Sequence, residues 1–158
     1  MAIAFYKSPL GYCKIEGDEM GISAITLLDT PDQEEINTIP DSLTACVTQL
    51  EGYFNGTLKQ FDLKLNPSGT AFQKKVWLKL LDIPFGTTVS YMDQTKKIGD
   101  VKAIRAVASA NGKNPIAIII PCHRVIGSDG SLTGYAGGIW RKKWLLEHES
   151  PVIQQKLF

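Results

Sequence analysis

The sequence predicts an α/β chain of the α+β kind, with a small antiparallel sheet in its N-terminal part and a mostly helical C-terminal part. Three observations carry that prediction. Residues 2–28 alternate apolar and polar side chains between turn signals, the period of half-buried strands. Beyond residue 70, apolar residues recur at helical spacing behind Thr, Ser and Asp side chains that can cap a helix. Between the two lies Asn66-Pro67-Ser68-Gly69, a cluster of turn formers. Charge changes sign there: residues 1–65 hold four Lys or Arg against ten Asp or Glu, and residues 66–158 hold thirteen against six. The expected division is therefore a scaffold domain over 1–66 and a second domain over 67–158. A chain of 158 residues can bury a real core as one domain or two small ones.

In the first part, strands are expected over 2–7, 11–15 and 20–28, with turns at 8–11 and 16–18. Ser42 is placed to cap a helix running to about Asn55, with Leu43, Cys46, Val47, Leu50 and Phe54 on one face and Gly56 stopping it. A further short strand is expected over 61–65. In the second part, Thr70 caps a helix to about Leu81, whose stripe is Phe72, Val76, Trp77 and Leu80 and which Pro84 and Gly86 end. Ser90 caps a short helix to Ile98, Gly99 turns the chain, and Asp100 caps another helix from Val101 to about Asn111. The pair has helix-turn-helix proportions.

On the second helix of that pair, Val101, Ile104, Val107 and Ala108 share a face that should pack inward. The other face carries Lys102, Arg105, Ala106 and Ser109, with Lys113 just beyond. Small residues around a projecting arginine let a helix approach another surface closely; a solvated face is the plainer alternative. Gly127-Ser128-Asp129-Gly130 reads as a turn and 133–138 as a small-residue loop. The last helix runs from about Ile139 to Glu149, with Trp140, Trp144 and Leu145 inward and Arg141-Lys142-Lys143 as its solvated face.

Composition excludes several classes. No run approaches the eighteen or so apolar residues of a membrane span, and Lys7 and Ser8 interrupt any signal-peptide core. A cytoplasmic protein is expected. Cys13, Cys46 and Cys122 form no CxxC pair, and His123 and His148 lack metal-ligand spacing, so neither a disulfide scaffold nor a metal site is expected. No cofactor is implied. The basic second half suggests an anionic partner, with nucleic acid the leading candidate.

The chemistry concentrates at 118–127, where Cys122 and His123 follow a run, 116–120, that reads as a buried β-branched strand ended by Pro121. Thiolates are the nucleophilic form of cysteine, and a nearby imidazole is one way to make one. Inert packing is the alternative, because free cysteine is among the most buried residue types. Neighbouring residues on extended backbone point to opposite sides, so a water could carry the proton between Cys122 and His123.

Four stretches together resemble one family, the O6-alkylguanine-DNA alkyltransferases: Pro121-Cys122-His123-Arg124-Val125, Arg105-Ala106-Val107-Ala108-Ser109-Ala110, Asn114 before the cysteine, and Trp144-Leu145-Leu146-Glu147-His148-Glu149. The resemblance spans about residues 68–149 and implies a ribonuclease H-like N-terminal domain and a DNA-binding, alkyl-accepting C-terminal domain. It implies that Cys122 accepts the alkyl group, that His123 takes the thiol proton through a water, and that Glu149 orients the imidazole, with a depressed thiol pKa. Tyr91 would donate toward the leaving base. Arg105 would fill the space of the extruded nucleotide, with Ala106, Ser109, Lys102 and Lys113 as further DNA contacts. Tyr135 and the backbone of Val125, Ala136 and Gly137 would line the base pocket, Asn114 would be a structural hinge, and Arg124 an ion-pairing residue. The implied partner is double-stranded DNA containing O6-alkylguanine, met by a monomer after minor-groove binding and base flipping. Cooperativity on DNA and action on O4-alkylthymine stay open, and so does the alternative of a lesion-binding or regulatory module that transfers nothing. The family's N-terminal zinc cluster has no counterpart in these residues.

Overall fold

The computed structural model describes residues 1–34 and 38–150. The chain divides into two compact units, Met1–Ser68 with Pro115–Ile119, and Gly69–Asn114 with the chain from Ile120 onward. Residues 115–119, expected with the second part, group with the first. The Ile25 N–H donates to the Pro115 carbonyl at 2.9 Å and the Ala117 N–H to the Ile25 carbonyl at 3.2 Å. The end of the expected second domain, 151–158, lies outside the described residues.

In the first unit, β1 (Ala2–Ser8), β2 (Gly11–Asp18) and β3 (Gly21–Leu28) form an antiparallel sheet in that order. Cys13 stands opposite Tyr6 on one side and Leu27 on the other. The alternation buries Ala4, Cys13, Ile15, Ile22 and Ile25. β2 runs past the turn expected at 16–18, through a bulge at Glu16/Gly17, and turns after Asp18. Local chemistry explains the shift: the Asp18 carboxylate accepts the Met20 N–H at 2.8 Å, a side chain standing in for a backbone turn. Gly21 then takes φ +131°, and a Cβ there would lie 2.8 Å from the Lys64 carbonyl oxygen, so only glycine fits.

That close approach also decides residues 61–65. They form no strand; Leu65 makes a single parallel bridge to Ile22. A 3₁₀ turn, Asp41–Leu43, precedes α1 (Thr44–Asn55), so Ser42 sits inside the turn and does not cap. Leu43, Cys46, Leu50 and Tyr53 are the buried stripe, while Val47 and Phe54 are half-buried. Gly56 closes the helix at φ +86°, the left-handed cap expected of glycine.

Residues 116–120 are buried but are not a strand. Ile116 makes one bridge to Ile25, and the chain then turns, with the Ile119 N–H donating to the Ala117 carbonyl at 2.8 Å. Ile118 has φ +73°, a conformation that costs a β-branched residue about 1–3 kcal/mol. Its burial, at 1% exposure, helps hold it there.

In the second unit, α2 (Ala71–Leu80) starts with the capping box of Thr70 and Gln73, which satisfies two otherwise orphaned N–H groups. Val76, Trp77 and Leu80 are buried, but Phe72 is 39% exposed and falls outside the stripe. After β4 (Val89–Ser90), Ser90 caps α3 (Tyr91–Ile98), accepting the Asp93 N–H at 3.0 Å. Asp100 caps a 3₁₀ turn, Val101–Ala103, and α4 (Ile104–Gly112) follows. A 3₁₀ turn advances 120° per residue instead of 100°, so a helical phase counted from Val101 is wrong by the time α4 begins. The inward face is Val107, Ala110 and Asn111; Val101 and Ala108 are exposed.

β5 (Val125–Ile126) pairs in parallel with β4, Val125 opposite Val89. α5 (Ile139–Glu149) closes the described chain. Its inward side holds Arg141, Lys142, Leu145 and Glu149, while Trp140 is 52% exposed. The expected solvated face of 141–143 is therefore corrected: only Lys143 of the three is exposed. No helix among the described residues is long and apolar enough to cross a membrane.

Candidate active site

Cys122 begins a 3₁₀ turn, Cys122–Arg124, that leads into β5. The turn delivers three consecutive side chains in three directions. Cys122 is partly exposed, His123 fully buried, and Arg124 nearly so. Asn114 reaches the sulfur: its Nδ2 donates to Cys122 Sγ at 3.3 Å and to the Ile120 carbonyl at 2.7 Å. The residue expected as a hinge thus also touches the thiol.

α5 brings Glu149 to the other two residues. His123 Nε2 lies 2.8 Å from Glu149 Oε2. Arg124 binds the same carboxylate through Nε at 2.8 Å and Nη2 at 3.0 Å, and its Nη1 donates to the Ile83 carbonyl at 2.7 Å. Burial works to raise the Glu149 carboxyl, but the hydrogen bonds and charges of His123 and Arg124 outweigh it and hold the group well below the usual carboxylate range. Burial pushes the His123 imidazole down, against the pull of Glu149, with the Arg124 and Lys142 charges adding to the push.

The tautomer follows from these two directions. An ionised carboxylate only accepts, so the neutral imidazole donates through Nε2–H and presents a bare lone pair at Nδ1. His123 Nδ1 is buried and has no hydrogen-bond partner. A buried acceptor without a donor is unusual; here it belongs to the group that could take a proton from the neighbouring thiol.

The expected depressed thiol pKa is not what the geometry provides. Burial pushes the Cys122 thiol up, and the Asn114 amide, the Lys142 ammonium and the backbone amide of Cys122 act against it.

Lys142, expected on a solvated face, is instead buried and acts on the Cys122 thiol by its charge. Its side chain is fully buried, Nζ donates to the Thr133 carbonyl at 2.9 Å, and the ammonium stands 5.7 Å from the centroid of the Tyr91 ring. Burial lowers its pKa and the Cys122 charge raises it. Helical spacing held the signal, since Lys142 lies three residues before Leu145 and seven before Glu149, on the stripe that turns inward. The Tyr91 hydroxyl donates to the same Thr133 carbonyl at 3.1 Å.

A cleft of about 700 Å³ brings together Tyr91, Arg105, Tyr135 and Ala136, with Ala108 and Gly134 letting backbone come close. Cys122, Val125 and Gly137 are not among its lining residues. Val125 is fully buried in β5, and the Gly137 carbonyl accepts from Arg141 Nη1 at 3.0 Å. Arg105, Ala106 and Ser109 lie on the exposed side of α4; Lys102 in the preceding turn and Lys113 just after the helix are also exposed. Among the described residues, no group of three His, Cys, Asp or Glu side chains is placed to hold a metal ion.

Comparison with known proteins finds one family over both parts of the chain. Residues 1–67 match the family described as 6-O-methylguanine DNA methyltransferase, ribonuclease-like domain, and residues 71–151 its DNA binding domain. A methylated-DNA–protein-cysteine methyltransferase of Methanosarcina acetivorans is 47% identical, over 94% of this chain and 98% of its own length. The protein of that name from Mycobacterium tuberculosis is 46% identical, over 90% of this chain and 88% of its own. The fold matches the crystal structure of M. tuberculosis OGT in complex with DNA at a TM-score of 0.84 and 42% identity, covering 100% of both chains. By sequence and by fold, this chain belongs to the O6-methylguanine-DNA methyltransferase family.

Proposed function

We propose that the protein repairs DNA directly, moving the alkyl group of O6-alkylguanine in a duplex to the sulfur of Cys122. The observation that supports this reading is a thiol bonded by Asn114 and followed in the chain by a buried imidazole whose Nδ1 has no hydrogen-bond partner and whose Nε2 meets Glu149. The thiol proton passes through a water to His123 Nδ1, and Glu149 stabilises the imidazolium. The sulfur attacks the alkyl carbon in line; the S–C bond forms as the C–O6 bond breaks, and its electron pair leaves on guanine. The guanine anion takes a proton back, the one held on His123 returning through water, and the restored guanine stays joined to its sugar in the strand. Tyr91 turns its hydroxyl from the Thr133 carbonyl to the base as negative charge develops there, and Lys142 remains as donor on that carbonyl.

The product is a thioether, and no side chain of the site is suited to cleave it. The protein therefore acts once. The α3–α4 pair serves as a helix-turn-helix, with Arg105 entering the minor groove as the nucleotide is extruded and Ala106, Ser109, Lys102 and Lys113 contacting the duplex. Tyr135 and Ala136, which line the cleft, meet the flipped base, with the backbone of Val125 and Gly137 behind them. Residues 1–66 are the scaffold and 67–158 carry DNA binding and alkyl transfer, in a cytoplasmic monomer.

The test is mass spectrometry after mixing with excess duplex containing O6-methylguanine. A gain of one methylene on the Cys122 peptide, reaching one equivalent and stopping, is the expected result. A bound duplex with an unmodified Cys122 would instead favour a lesion-binding module.

A further inference from the structure

Buried polar contacts join the C-terminal end of α4 to α2 and α3. The Trp77 indole N–H donates to the Ala110 carbonyl at 2.8 Å. Gln94 of α3 and Asn111 of α4 bond reciprocally, Gln94 Nε2 to Asn111 Oδ1 at 2.8 Å and Asn111 Nδ2 to Gln94 Oε1 at 2.7 Å. Both are nearly out of water, at 4% and 6% exposure. Three residues on, Asn114 holds the Ile120 carbonyl and the Cys122 sulfur.

Two apolar side chains of similar size would stabilise this contact as well as two amides do, because burying amides offsets much of what their hydrogen bonds return. What an amide ring adds is register. It closes at one rotation and one translation of α4 on α3, and any slip leaves a buried donor and acceptor unpaired. The same helix carries Arg105 on its exposed side, six residues before Asn111.

We propose that the Gln94–Asn111 pair is a positioning element that fixes α4 in register on α3, so that the duplex-facing Arg105 and the Asn114–Cys122 contact stay matched to each other. This rests on the alkyl-transfer reading above. In that reading a flipped nucleotide must arrive at the sulfur in line, and small misplacements of reacting groups are costly in rate. A free base needs no docking of α4 on a duplex, so its rate depends far less on that match.

The experiment compares full-length wild type with the double variant Gln94→Leu/Asn111→Leu in single-turnover reactions. The substrates are an O6-methylguanine duplex and the O6-methylguanine base alone. The double variant is expected to melt within about 5 °C of wild type and to react with the free base within about threefold of the wild-type rate. Its rate with the duplex should fall about tenfold to a hundredfold. Equal duplex rates in a folded double variant, or a parallel loss with both substrates, would overturn the proposal. Failure of the alkyl-transfer reading looks different, since wild type would then react with neither substrate. Should the double variant not fold, Gln94→Glu keeps the Asn111 Nδ2 bond and loses the return bond. Gln94 lines a cleft with Lys79, Lys97 and Asp82, two cations against one carboxylate, and the same split between duplex and free base is expected.

Discussion

Cys46 and Cys122 are both thiols whose surroundings disfavour ionisation, yet only one is built to react. In α1, Cys46 is 1% exposed, and burial, with Cys13 adding to it, pushes its thiol up to about 12. Burial pushes Cys122 up as well, but there an amide, an ammonium and a backbone N–H push back. The difference teaches that burial is common to inert and reactive cysteines. What separates them is whether polar groups oppose it and whether a base stands ready for the proton.

The sharpest way to break that comparison is to remove each sulfur. Cys122→Ser should abolish methyl transfer from duplex DNA, whereas Cys46→Ser should still take up one equivalent per chain, read by intact mass. Next in size is Glu149→Gln, which leaves Arg124 and His123 buried beside a neutral amide. It should cost about 3–5 kcal/mol in denaturant unfolding and slow transfer roughly a hundredfold. The pH dependence sharpens the point. Because folding lowers the Glu149 pKa, its stabilising contribution is present above the ordinary carboxylate value of about 4.3 and is lost as pH falls towards the folded-state value. The melting temperature of wild type should therefore drop more steeply below about pH 4 than that of Glu149→Gln.

Tyr91→Phe removes the hydroxyl proposed to meet the leaving base and should slow transfer by about tenfold. Stability should change little, since Lys142 keeps the Thr133 carbonyl satisfied. Smallest is Cys46→Ala, which leaves a small cavity worth about 1 kcal/mol and no change in transfer rate, measured on the same duplex.

What was legible in the sequence follows from how local each cause is. Thr70 with Gln73 and Ser90 with Asp93 are caps written within four residues of chain, and both helices start where those residues say. The Cys122-His123 pair is legible for the same reason. Lys142 is not, because a lysine between two other cations looks like a solvated face until Leu145 and Glu149 show which side of α5 turns inward. Val101 misleads because the 3₁₀ turn capped by Asp100 breaks the helical count. Residues 116–120 have the composition of a strand, but the turn at Ala117–Ile119 and the positive φ of Ile118 are set by contacts with β3, far away in sequence. Ser42, a good capping residue, is pre-empted by the turn that starts at Asp41.

The most direct test of the contrast between the two thiols is the pH dependence of Cys122 alkylation by iodoacetamide, a neutral reagent, in wild type and in Lys142→Met. The Lys142 charge favours the Cys122 thiolate, so its removal should move the rise in rate to higher pH and lower the rate at neutral pH. Identical profiles in a folded variant would contradict the account, because the Lys142 charge would then do nothing to set Cys122 apart from Cys46.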